Sequence, residues 1–339
     1  MNEARDSIVE HTREMISGML TLDSTVLSTP SDMWRENIAR FEYLLSGPDM
    51  TPFDEIRLHT HFITGNPSRG IQIVDDMGQE KQSGPFSAVV NKATDAICAS
   101  RHVTETLKRN VLFRKWLRGL NVPRRVIQSV SEPQALGGEK LLCTRIGGRS
   151  YNFDTSRFLT EIVNLYESGF LDFNQPGLRI LDVGGGWGGL AYFLRRVFPN
   201  SHLTILDLPE TMIFSIPYLK MVDKNKSFFV YGENGSVDSA ISDNDFSFIP
   251  PTIINQIGDD TFDLVVNTGS MAEMTAEQVM EYIVQIKRVG KGLFFSFNED
   301  LQSRNTHLRS LFQILREEFT VAEGNYRNGS FRPLFCTTN

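Results

Sequence analysis

The chain has 339 residues, 40% hydrophobic and 22% charged, with a formal net charge of −7. That length allows one large domain or two ordinary ones with ample core, and the acidic balance excludes a protein whose whole surface grips nucleic acid. The three cysteines, Cys98, Cys143 and Cys336, have neither paired nor metal-ligand spacing, which excludes a disulfide framework and reads as free thiols of a reducing cytoplasm.

The N-terminus, MNEARDSIVEHTREM, is charged throughout and lacks an apolar signal core. No later run approaches the roughly 18 apolar residues of a membrane span. A soluble, cytoplasmic protein without membrane or nucleic-acid partners is expected. Residues 1–135 read as a mainly helical domain. Ile8, Met15, Ile16 and Met19 form a helical stripe, and Ser31-Asp32 caps a second helix that carries Trp34, Ile38, Phe41 and Leu44 and ends at Gly47. A third helix is expected over 53–63, an irregular connection over 66–85 and a return to helix over 86–99. His59 and His61 lie in this half; a histidine titrates near neutrality, so either could reach over a cleft as a base, although surface and core positions are commoner. With Asp54 they make no specific metal-ligand pattern, and no metal is expected. Between Arg101 and Arg125, eight Lys or Arg residues stand against one acid. They read as a solvated face whose basic stems cover apolar surface, the alternative being a patch for an acidic substrate or partner.

Residues 136–339 read as the second domain. A hairpin is expected around Gly147-Gly148, then a helix from Thr155 capped by Asp154 or Thr155. Arg179–Val183 predicts a buried parallel strand, because Ile180, Leu181 and Val183 leave almost no polar face. Gly184, Gly185, Gly186, Gly188 and Gly189 then let the backbone approach a ligand closely. A helix with Leu190, Phe193, Leu194 and Val197 on one face stops at Pro199-Asn200, and the strand Leu203–Leu206 ends in Asp207. Strand, glycine turn, helix, strand and terminal acid make a nucleotide-binding βαβ unit.

The glycines alone also satisfy the dinucleotide fingerprint, and Asp182 separates the ligands. A carboxylate two residues before the first glycine would face a pyrophosphate with like charge. S-adenosylmethionine has no phosphate, and its ammonium and sulfonium are cationic, so the acid attracts it. Asp207 suits either ligand, because it can accept ribose hydroxyls. Downstream, Ser227–Tyr231 and Phe246–Ile249 compete as the third strand, with Phe248 preferred as the adenine wall. Thr261–Thr268, a helix from Ala276 to Val289, Gly292–Phe297, a helix from Arg304 to Phe319 and a terminal hairpin around Arg327-Asn328-Gly329 continue an α/β alternation.

DVGGGWGGLA, ILDLPETM and NTGSMAEM resemble class I methyltransferases and, within them, bacterial sugar O-methyltransferases, over roughly residues 151–298. The resemblance implies a Rossmann-like seven-stranded α/β sheet in order 3-2-1-4-5-7-6 beneath the helical cap, with S-adenosylmethionine as cofactor. It also implies methyl transfer to a hydroxyl of a sugar or glycosylated small molecule. Plant-type small-molecule O-methyltransferases share DVGGG and DLP but use a histidine after the fourth strand, and none lies between His202 and His307. Cofactor contacts are expected from Asp182, Gly184, Gly185, Gly186, Trp187, Asp207, Leu208, Phe248 and Asn267. Arg157 is expected at the cofactor carboxylate, a partner suited to guanidinium. Tyr151 and Ser270 are candidate substrate contacts. Glu273 is the acid best placed as general base, with a helix N-terminal acid as its structural competitor. An aromatic or polyketide hydroxyl, a noncatalytic methyltransferase-like subunit and, more remotely, an NAD-dependent oxidoreductase stay open. A homo-oligomer is compatible with all of them.

Overall fold

The computed structural model describes residues 2–61, 101–300, 310–327 and 330–338. The connection and helix expected over 66–99, Cys98, the start of the helix expected from Arg304 and the Asn328-Gly329 turn lie outside them. α1 (Asn2–Met19) buries Val9, Thr12, Ile16 and Met19, a face rotated by one residue from a stripe through Ile8. α2 (Asp32–Ser46) begins at Ser31, whose hydroxyl accepts from the Trp34 amide, and ends at Gly47. A 3-10 turn (Thr51–Glu55) and α3 (Ile56–His59) take the place of a longer helix.

α4 (Arg101–Gly119) and α5 (Arg124–Ser129) precede the hairpin β1 (Thr144–Ile146) and β2 (Arg149–Tyr151), which turns at Gly147 and Gly148. α6 (Phe153–Ser168) is capped by Asn152, which accepts from the Thr155 amide at 2.9 Å, while the Thr155 hydroxyl accepts from the Asn152 amide at 2.7 Å. The cap expected at Asp154 or Thr155 thus moves back to Asn152, because the Asp154 carboxylate is drawn to Arg57.

The alternation then runs β3 (Arg179–Val183), α7 (Gly189–Val197), β4 (His202–Leu206), α8 (Met212–Val222), β5 (Phe228–Val230), α9 (Val237–Asp243), β6 (Phe246–Ile249), β7 (Leu264–Thr268), α10 (Ala276–Val289), β8 (Leu293–Asn298), α11 (Leu311–Glu318), β9 (Thr320–Glu323) and β10 (Arg332–Thr337). The sheet order is β5-β6-β4-β3-β7-β8-β10-β9, with β10 antiparallel to β8 and β9 and the other pairs parallel. The expected 3-2-1-4-5-7-6 order is present, and β5 adds an eighth strand. Both short candidates after α8 are strands: β6 pairs with β4 along Leu203–Leu206 and is the third strand, which leaves β5 the outer edge.

The N-terminal helices share one core with a face of this sheet. Val9, Phe41 and Phe53 join Phe158, Trp187 and Phe214, and α1 lies on α8. Leu181, Val183, Ile249, Met271, Ile283 and Phe312 form the core on the other face.

A polar knot sits inside the shared core. Arg57 donates through Nε to Glu132 Oε1 at 2.8 Å, through Nη2 to Glu132 Oε2 at 3.2 Å and Asp154 Oδ2 at 2.5 Å, and through Nη1 to Thr60 Oγ1 at 2.6 Å. Asn152 also donates to Glu132, at 2.7 Å. The guanidinium lies 3.9 Å from the Trp187 ring centroid, and that ring packs edge-on to Tyr218 at 5.0 Å. Gly189 is a glycine for this reason: a Cβ there would lie 2.3 Å from the Trp187 ring. Removing one partner of such a pair strands buried charge, which costs roughly 3–5 kcal/mol. Arg57→Ala should lower the unfolding free energy by about 3–5 kcal/mol, read by circular dichroism as a lower urea midpoint at unchanged m.

Candidate active site

β3 and β7 are neighbours from which the chain leaves toward opposite faces, the switch in order at which open α/β sheets bind ligands. A cavity of about 420 Å³ opens at their carboxyl ends. Asp182, Gly184, Gly185, Gly186 and Trp187 form one wall, and Leu206, Asp207 and Leu208 the next. Thr268 ends β7 and Gly269, Ser270 and Glu273 follow it, Arg157 and Phe158 come from α6, and Pro30, Met33, Trp34 and Asn37 from the N-terminal segment.

The glycine turn cannot be rebuilt with side chains. Gly184 has φ +71°, and a Cβ would lie 2.2 Å from Ser270 Oγ. Asp207 accepts the Gly186 amide on Oδ2 and the Leu208 amide on Oδ1, both at 2.7 Å. Burial nevertheless pushes its carboxyl up to about 6. Asp182 is buried with Oδ2 lacking a partner among the described residues. Burial first, then Glu161 and Asp207, push it up to about 8. Glu161, one helical turn beyond Arg157 on α6, is fully buried; burial pushes it up to about 7 against the opposing pull of Arg157, whose Nε lies 3.4 Å from its Oε1.

A polar ladder braces the crevice. Asn267, opposite Val183 in register, donates to Val183 O at 2.9 Å and to Ser270 Oγ at 2.6 Å, and accepts from Asn298 Nδ2 at 2.9 Å. Its side chain is spent inside the sheet, and Asn267 is not on the cavity wall. Tyr151 and Phe248 are also elsewhere. The Tyr151 hydroxyl donates to Ile127 O and its ring meets Phe113, while Phe248 points into the core shared with the N-terminal helices. His59 Nδ1 pairs with the Tyr43 hydroxyl at 2.7 Å, away from the cavity, whereas His61 lines it and bonds Leu58 O through Nδ1 at 3.0 Å. Trp187 contributes to the wall, with its ring packed beneath the turn against Phe158 and Tyr218.

Glu273 ends the 3-10 turn Met271–Glu273, and its Oε2 accepts from Trp34 Nε1 at 3.1 Å. Thr275 and Gln278 cap α10 reciprocally, so the helix start does not use Glu273 as its cap. Gln278 Nε2 further donates to Val26 O at 3.0 Å and Thr29 O at 2.7 Å, latching the N-terminal segment over the crevice. Sequence reasoning missed this N-terminal wall, together with Glu299 and Phe331. Nothing local marks such residues, since Trp34 and Glu273 are 239 positions apart. Among the described residues, no group of three or more His, Cys, Asp or Glu side chains is placed to hold a metal, and no helix is long and apolar enough to cross a membrane.

Solved structures similar to the chain include a SAM dependent methyltransferase from Aquifex aeolicus (16% identity, TM-score 0.35, 51% of this chain and 86% of that one). Magnesium protoporphyrin IX methyltransferase from Synechocystis PCC 6803 with bound SAM is another (14%, 0.36, 53% and 76%). Precorrin-6y C5,15-methyltransferase from Geobacter metallireducens GS-15 is a third (14%, 0.35, 52% and 88%). Each match covers about half of this chain. The strand order and the glycine turn at the carboxyl end of β3 are those of a Rossmann-like α/β fold. No family model and no curated protein matches the chain.

The raised carboxyls bear on stability. Below about pH 4 the acids are protonated folded and unfolded alike; as pH rises through the folded value of Asp182, near 8, the unfolded chain has already released its proton and the stabilisation is lost. Asp182→Asn removes this dependence. In ligand-free thermal melts the variant should therefore gain on the wild type between pH 5 and pH 8.5; a constant difference would contradict the burial of this charge.

Proposed function

We propose that the protein is an S-adenosylmethionine-dependent O-methyltransferase acting on a hydroxyl of a sugar or glycosylated small molecule, with residues 1–135 selecting the acceptor and 136–339 holding the cofactor. The buried Asp182 carboxylate, with one oxygen unpartnered among the described residues at the glycine turn, carries the cofactor assignment. It suits the N–H donors of an ammonium and would repel a pyrophosphate. Asp207 has one amide on each oxygen and keeps further lone pairs for two ribose hydroxyls. Arg157 on the cavity wall suits the cofactor carboxylate.

When bound, the cofactor supplies a methyl group on a sulfonium with a neutral thioether as leaving group. The chain's task is then to align an acceptor oxygen with that methyl and to remove the hydroxyl proton. Alignment is worth of order 7–11 kcal/mol in favourable cases. Glu273, oriented by Trp34, is the base, and Ser270 and His61 stand on the same cavity for positioning. The sugar assignment draws on the DLPE and S-M-x-E-M resemblance and on a cavity lined by an aromatic ring, Trp34, together with polar Asn37 and Glu299. Leu27, Met33 and Phe331, which line the same cavity, favour a second reading, an aromatic or polyketide hydroxyl.

Calorimetry with S-adenosylhomocysteine should give micromolar binding that Asp182→Ala and Asp207→Ala both weaken. No binding by folded, ligand-free protein would return the weight to a noncatalytic or dinucleotide-binding role. With an accepted substrate, Glu273→Gln should lower kcat by about 10²- to 10⁴-fold and leave S-adenosylhomocysteine affinity unchanged. Full turnover would remove Glu273 as base.

A further inference from the structure

Glu161 is a buried acid for which a structural role is hard to find. Both carboxylate oxygens lack hydrogen-bond partners among the described residues, although the side chain is fully buried on α6. An ionisable group kept in that condition costs stability. Its charged surroundings are Arg157 and Asp154 on its own helix and Asp182 at the end of β3, with Asp207 behind Asp182. Asp154 is tied to Arg57. That leaves two carboxylates, Glu161 and Asp182, facing the single guanidinium of Arg157, and both Asp182 and Arg157 line the cavity.

Glu161, Asp182 and Arg157 sum to −1 when all are ionised. A zwitterionic amino-acid end adds zero, so the thioether product leaves the cluster at −1. The sulfonium donor adds one positive charge and brings it to zero.

We propose that Glu161 is a positioning residue that makes the site prefer the sulfonium donor to its thioether product, holding a proton when the ligand is absent or neutral and releasing it to solvent when the cationic ligand binds. This rests on the cofactor reading above. After methyl transfer the sulfonium has become a neutral thioether, and the cluster takes one proton back from solvent. Product binding is thereby weakened relative to donor binding as pH rises. Glu161 acts through Arg157 and the shared charge of the cluster; it is not itself on the cavity wall. Its raised protonation range, about 7, lies where this exchange would be felt.

The test is calorimetry with S-adenosylmethionine and S-adenosylhomocysteine at pH 6 and pH 8.5, in buffers of different ionisation enthalpy, on wild type and Glu161→Gln. Wild type should release more protons on binding the donor than the product, and its preference for the donor should grow about tenfold over this range, the factor given by one pKa unit. In Glu161→Gln the growth should shrink to about threefold or less, half that change on a logarithmic scale. An unaltered preference and proton count in Glu161→Gln overturns the proposal while leaving the cofactor site standing. Wild type that binds neither ligand overturns both. Thermal melts at pH 8.5 without ligand separate a structural role: Glu161→Gln should be at least as stable as wild type, because it removes the cost of burying a charge, and a less stable variant also overturns the proposal.

Discussion

Arg57 lies at the point where the N-terminal helices, the segment before the first sheet strand and the glycine turn meet. Its guanidinium satisfies Glu132 and Asp154 while covering the face of Trp187, so one buried side chain ties α3, the chain before β1 and the start of α6 to the residue beneath the turn. A charge buried this deeply is tolerable only when every partner is in place. The position of the cavity floor therefore depends on the N-terminal segment being docked. Gln278 repeats the coupling at the rim, where one amide both completes the cap of α10 and holds the backbone of residues 26–29.

Within the sheet the cleft is held open by backbone and amide chemistry. Asn267 and Asn298 bridge three adjacent strands at the level where ligands bind, and Gly184 permits Ser270 to approach the turn closely. Hydrogen bonds of this kind are strong in a low-dielectric interior and hold the three strands in register. Against this scaffold the carboxylates of Glu161, Asp182 and Asp207 stand out, all pushed upward by burial. Strained electrostatics of this kind concentrate at functional sites, because a bound ligand of opposite charge relieves them.

The glycine-turn wall of the cavity was legible because its residues are local in sequence. Asp182, the glycines and Asp207 are brought together by one βαβ unit, whose geometry follows from hydrophobic runs, glycines and a strand-terminal acid. Phe248, Asn267 and Tyr151 were harder, since a residue at the right level in the sheet can turn to either face or bond within the backbone. Phe248 faces the core, Asn267 spends its amide on Val183 and Ser270, and Tyr151 reaches back to Ile127. The N-terminal wall of the cavity was not legible at all. Helical periodicity placed Trp34 on an apolar stripe, and nothing in that stripe says that its indole meets Glu273.

By itself the sequence determined the α/β alternation, the buried strands, the glycine turn and the two strand-end acids, because periodicity and the conformational demands of glycine act over a few neighbouring residues. Only the tertiary structure decided the eighth strand at the edge, the knot around Arg57, the wall supplied by residues 27–37 and the unsatisfied carboxylate of Glu161. Those features depend on which distant side chains share a low-dielectric interior, and burial and charge balance there are properties of the packed chain as a whole.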